Sequence, residues 1–163
     1  MLLALVVAVV VVIGQFDDAQ DVRIRGYGYT MVAIQGTYGV VIDKRFAGRF
    51  LGKHEGESFE TWTPSHDDVV AAEELLRVVR PGDAVDAERR DRASSPEDLV
   101  SRTWYGAIVD GRRLLFVNGY CAGGLPARPL VPEVVADGGA CFWNATIDAE
   151  QWKIVTYTEN GEA

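Results

Sequence analysis

The chain has 163 residues, 48% of them hydrophobic, with four tryptophans, which is enough for one packed domain that needs neither a metal nor several disulfides. That apolar content excludes a disordered chain, which lacks the hydrophobic surface to offset its conformational entropy. The formal net charge of −8 repels nucleic acid and anionic headgroups, and no basic stripe with interleaved aromatics stands out against it, so nucleic acid is not an expected partner.

Residues 2–13 form an unbroken apolar run, followed by Gly14-Gln15-Phe16 and the acidic stretch Asp17-Asp18-Ala19-Gln20-Asp21. The run is shorter than the roughly 20 residues that span a bilayer and suits the core of a signal peptide. Residues 1–16 are therefore expected to be a signal peptide or short membrane anchor, and residues 17–163 a single domain. No Lys or Arg precedes the run and no Ala-x-Ala site follows it, which leaves a retained tether, or a buried first strand of a cytosolic protein, as alternatives. No cysteine follows the run, so lipoprotein anchoring is not indicated. Membrane contact is expected only through this segment.

Between Val22 and Ile42 the chain is rich in β-branched and aromatic residues and reads as two strands meeting near Gln35-Gly36. Gly26, Gly28, Gly36 and Gly39 read as bulges and a tight turn, because no Gly-Lys-Ser/Thr follows them. From Asp43 to Trp62 the sequence predicts a loop with room for one short strand. Thr63-Pro64-Ser65-His66-Asp67-Asp68 announces a helix, with Thr63 or Ser65 as cap and the aspartates at the positive end of the dipole. Val69, Ala72, Leu76 and Val79, with Leu75 beside them, make its apolar stripe, and Glu73 and Arg77 an i,i+4 pair on the wet side. Pro81-Gly82 ends it.

Asp83 to Arg102 reads as a solvated connection of mixed charge. Two strand-turn-strand units follow, from Thr103 to Cys121 and from Gly139 to Tyr157. The first turns at Asp110-Gly111, since both residues tolerate the positive φ of a type I′ turn; the second turns near Asp148-Ala149-Glu150-Gln151. Between them, Pro126, Pro129 and Pro132 exclude a central strand. If the strand ending at Cys121 pairs antiparallel with the one beginning near Gly139, the two cysteines face each other, and a Cys121–Cys141 disulfide is expected in an exported chain. Two buried thiols in a reducing compartment are the alternative.

The runs Tyr-Gly-Ala-Ile-Val-Asp-Gly, Leu-Phe-Val-Asn-Gly-Tyr-Cys, Val-Ala-Asp-Gly-Gly-Ala-Cys-Phe-Trp-Asn-Ala and Tyr-Thr-Glu-Asn-Gly-Glu-Ala, with Trp62-Thr63-Pro64 upstream, resemble a set of small exported bacterial proteins of unknown function. The likeness covers roughly residues 27 to 163 and departs at Asp148–Trp152, where that set has a Gly-containing turn. A helix lying across an antiparallel sheet is also similar to the cystatin-like and nuclear-transport-factor-like plans, and the final hairpin to the protease-inhibitory PepSY module. The expected fold is thus α+β, one main amphipathic helix on a curved antiparallel sheet of about four to six strands. Function does not transfer by fold analogy.

His54-Glu55 and His66-Asp67-Asp68 hold the only histidines; a metal or acid–base site would need them to converge, and no His-x-x-x-His spacing forces that. No Gly-x-Ser-x-Gly elbow exists, and Cys141 as a nucleophile would need one of those histidines as its base. Trp104, Tyr105, Trp143 and Tyr157 either line a ligand-binding concavity or pack the core. Both faces of strands 104–109 and 114–117 are apolar, which favours a protein partner or pocket. Asn144-Ala145-Thr146 matches the glycosylation pattern, relevant only in a eukaryotic secretory pathway. The sequence thus favours an exported, non-catalytic binding or interaction domain without a cofactor, a protease-inhibitor-like role being one version of it. The alternative is a small metal-binding protein or enzyme using His54 and His66.

Overall fold

In the computed structural model the described residues are 22–34, 37–51, 59–79, 100–120, 129–132 and 142–159. They form strands β1 (Val22–Arg25), β2 (Tyr29–Ile34) and β3 (Thr37–Ile42), helix α1 (Lys44–Ala47), strand β4 (Glu60–Trp62) and helix α2 (His66–Val79). Strands β5 (Val100–Val109), β6 (Arg112–Tyr120), β7 (Phe142–Asp148) and β8 (Lys153–Glu159) complete them.

All eight strands belong to one sheet in the order β1-β2-β3-β5-β6-β7-β8, with β4 also paired to β5. Strand β5 is its hub. On one side it pairs antiparallel with β6 along its length. On the other, β3 runs parallel to it, Thr37 to Val41 opposite Val100 to Trp104, and β4 continues that edge antiparallel, Glu60 to Trp62 opposite Ile108 to Gly106. A parallel neighbour cannot be reached by a hairpin and needs a long crossover; here the crossover carries α1, β4 and α2.

The expected fold class is corrected by this topology. The sheet is mixed rather than antiparallel and has eight strands rather than four to six among the described residues. It dominates two helices, of which α1 has only four residues. A cystatin-like or nuclear-transport-factor-like plan does not describe it. The expected hairpins are present. Asp110 and Gly111 both take positive φ, 52° and 76°, as a type I′ turn requires. At the second turn the Asp148 carboxylate accepts from the backbone amides of Glu150 (3.0 Å) and Gln151 (2.9 Å), and Trp152 takes φ 48°. Between Val22 and Ile42 there are three strands rather than the expected two, because the chain also turns between Arg25 and Tyr29, while the gap from β2 to β3 falls where expected, with Ile34 opposite Thr37.

Helix α2 starts with a reciprocal cap. The Ser65 backbone amide and hydroxyl donate to Asp68 Oδ2 at 2.7 and 2.6 Å, and the Asp68 amide returns to Ser65 Oγ at 3.2 Å, which satisfies amides that the first turn leaves free. Thr63 does not cap; its hydroxyl accepts from the Lys44 amide at 2.9 Å and so ties β4 to α1. The face α2 turns to the sheet is Val69, Ala72, Glu73 and Leu76, packed on Val32, Val41, Trp104, Val117 and Trp143 among others. Two expectations fail here: Val79 is 43% exposed, and Glu73, expected in water, is 3% exposed. Leu76→Ala is expected to cost about 2–5 kcal/mol through lost transfer energy and a cavity, read as a lower midpoint in denaturant unfolding.

The opposite face carries a second cluster, Val40, Ile42, Ala47 and Tyr105, with Tyr29, Met31, Phe46, Phe50, Leu51, Phe116 and Leu130 against it. The apolar second face read from the sequence is therefore covered at this end by α1 and the residues after it. A third feature organises the α2 face: indoles lie over glycines of neighbouring strands. Trp62 lies over Gly106, directly opposite it, and Trp143 likewise over Gly119, while Trp104 covers Gly39 diagonally. A side chain at any of the three glycines would overlap the ring.

Candidate functional site

Strand alternation decides where the four aromatic candidates go, because successive residues point to opposite faces. Trp104, Trp143 and Tyr157 share the α2 face, where the Trp143 and Tyr157 rings stand 5.7 Å apart. Tyr105 lies on the other face, stacked on Phe116 at 5.4 Å and tilted against Phe50 at 5.2 Å. The four do not line one concavity, and Trp104 and Trp143 are fully buried.

Between the indoles and α2 lies the one buried ion pair among the described residues. Glu73 Oε1 stands 3.7 Å from Arg102 Nε, and both side chains are almost wholly removed from water. The Trp104 indole N–H donates to Glu73 Oε1 at 3.2 Å and the Thr37 hydroxyl to Oε2 at 3.0 Å. The Arg102 guanidinium lies 4.5 Å above the Trp143 ring, a stacking that suits a weakly hydrated planar cation. Burial pushes the Glu73 carboxyl above its ordinary range, while Arg102, Thr37 and Trp104 pull against that. The carboxylate comes from α2 and its partners from β3 and β5, so the cluster joins the three elements that the crossover must hold together. Sealed from substrate, this cluster can lock a helix to a sheet, and it offers no reacting atom to solvent.

The Tyr105 hydroxyl is also internal. It donates to Asn118 Oδ1 at 3.4 Å, and burial raises its pKa to about 12. A phenol with a raised folded-state value contributes stability that is present below the ordinary value near 10 and lost as pH climbs to about 12, up to about 3 kcal/mol. The stability of Tyr105→Phe is expected to fall less across that interval, measured by unfolding midpoints at stepped pH.

Exposed chemistry gathers on the other side of the fold, around α1. Tyr27 is 77% exposed and meets the Phe46 ring edge-on at 5.5 Å. The guanidiniums of Arg45 and Arg49 lie 5.7 and 5.0 Å from the centre of that same ring. Gly28, at φ 80°, allows the approach, since a side chain there would strike Phe46. The Asp43 amide donates to the Gly28 carbonyl at 2.9 Å, and the Asp43 carboxylate caps α1 at the Arg45 amide and binds the Arg45 side chain, both at 2.9 Å. That side-chain contact holds the Asp43 carboxyl below its usual range. Lys44 is exposed beside them, and Val131, next to the packed Leu130, is 51% exposed.

Of the remaining candidates, His66 opens α2 next to Asp67 and Asp68, whereas His54, Cys121 and Cys141 lie outside the described residues. Tyr120 stands opposite Phe142, so the antiparallel pairing from which the disulfide is expected runs to the residues adjoining both cysteines. Among the described residues no three His, Cys, Asp or Glu side chains gather closely enough to hold a metal ion. Reading the sequence missed Thr37, Glu73 and Arg102, and also Tyr27, Arg45, Phe46 and Arg49. Glu73 was available as a member of the 69–72–73–76 stripe, and α1 as the alternation Lys44-Arg45-Phe46 with Arg49-Phe50. No family model matches the chain, and neither a curated protein nor a solved structure is found to be similar to it.

Proposed function

We propose that this chain is a non-catalytic binding domain that meets its partner through Tyr27, Arg45, Phe46 and Arg49. The observation that carries the reading is the placement of an aromatic side chain 77% in water against a ring flanked by two guanidiniums. Aromatics and arginines are the residues that supply most binding energy at interfaces, and this surface is built from them. The other concentration of charge, Glu73 with Arg102, is enclosed and serves the packing. Export or tethering through residues 1–16, and a Cys121–Cys141 bridge formed in the oxidising compartment it leads to, belong to the same proposal; the Tyr120–Phe142 pairing supports the bridge. A photo-crosslinking amino acid at position 27 is expected to give an adduct in producing cells, whereas the same group at Val78, 80% exposed on α2, gives none. Equal yields at the two positions would overturn the proposal.

A further inference from the structure

We infer that the partner of the Tyr27–α1 surface is an anionic lipid headgroup layer, an inference that rests on the reading of that surface as the binding surface. Lys44, Arg45 and Arg49 face the phosphates, and Tyr27 with Phe46 takes the boundary between headgroup and hydrocarbon. Such a boundary favours side chains with an apolar body beside a polar or charged tip, and this surface alternates the two types within one contact cluster. Neither Lys44 nor Arg49 has an ion-pair partner among the described residues, and Asp43 is the only carboxylate bonded to Arg45 there. The net charge of −8 opposes anionic lipid only over distances that physiological salt screens, since the Debye length is about 8 Å.

Chain length supplies the second argument. The apolar run ends at Ile13 and β1 begins at Val22; the eight residues between them reach roughly 28 Å when fully extended. The four-residue β1 adds about 13 Å before the Tyr27 turn. A chain held in a bilayer by residues 2–13 therefore keeps this surface within reach of the same bilayer. One short apolar segment gives only marginal attachment, and a cationic patch is the kind of second signal that makes it stable.

The test is co-sedimentation of the full chain with phosphatidylcholine vesicles and with vesicles that also contain phosphatidylglycerol, the ratio of the two affinities being the readout because the apolar run contributes to both. A preference for phosphatidylglycerol that falls with added salt is expected. Lys44→Glu with Arg49→Glu should reduce it by at least about twentyfold, each cation near the surface being worth about fivefold, with the unfolding midpoint unchanged. Tyr27→Ser should weaken binding to both vesicle types and leave their ratio and its salt dependence unchanged. Equal affinity for the two vesicle types, or a preference that the double variant retains, would overturn the inference. A mixed-sequence oligonucleotide bound in place of lipid, and released by the double variant, would also overturn it while leaving the surface as a binding site. No lipid preference together with no adduct at position 27 would overturn both readings.

Discussion

Glu73→Ala is expected to lower the unfolding free energy by about 3–5 kcal/mol, the loss seen when one member of a buried ion pair is removed. Arg102 is 1% exposed, so the guanidinium cannot recover water, and the Thr37 hydroxyl and Trp104 indole lose their acceptor at the same time. In a chain of this length the melting temperature should fall by roughly 10 °C. Glu73→Gln keeps an acceptor oxygen between those two donors and should cost clearly less. Arg102→Met with Glu73→Gln removes both charges and fills the same space, and replacements of that kind are often neutral or stabilising. If Glu73→Ala melts with the unmodified chain, α2 is not docked as described.

The second large effect belongs to Gly39. A methyl group there would overlap the Arg102 carbonyl oxygen, which is backbone of β5 and cannot step aside, as well as the Trp104 ring. The parallel pairing of β3 with β5 would have to open. Gly39→Ala is expected to cost about 3 kcal/mol or more, at the upper end of the range for overpacking. Gly48→Ala is the matched control, because Gly48 has no atom within 4 Å of an added methyl and already has helical φ and ψ; it should leave the denaturant midpoint where it is. Similar midpoints for the two variants would contradict the close approach of β3 and β5.

The parts of this fold that could be read in advance are the local ones. Asp110-Gly111 announces its turn because two positive φ angles are needed within two residues, and Ser65 through Asp68 announces α2 because the cap closes within four. The order of the sheet was not legible in the same way. The parallel partner of β5 lies across α1, β4 and α2, and Val100 to Arg102, through which β5 pairs with β3, read as the end of a solvated connection rather than as strand. The antiparallel sheet that two hairpins suggest therefore became a mixed one.

Glu73 shows the same limit for the site. A lone glutamate in a helix is ordinarily solvated, and its burial depends on Arg102, Thr37 and Trp104 arriving from β5 and β3. The Tyr27 surface was hidden by averaging. A net charge of −8 describes the whole chain, whereas the turn after β1 and the four-residue α1 bring two arginines to one ring. Tyr105 and Trp104 are adjacent in sequence and look alike as candidates, but the pleat sends them to opposite faces, beneath different covers.

The central claim is that the enclosed ion pair packs the domain and that the Tyr27–α1 surface does its work. It is tested most directly by placing the photo-crosslinking residue at position 27 in the chain carrying Glu73→Gln with Arg102→Met. With the fold intact by circular dichroism and unfolding midpoint, the adduct is expected to form as it does in the otherwise unmodified chain. Loss of the adduct from a folded variant would place function in the buried cluster and contradict the account.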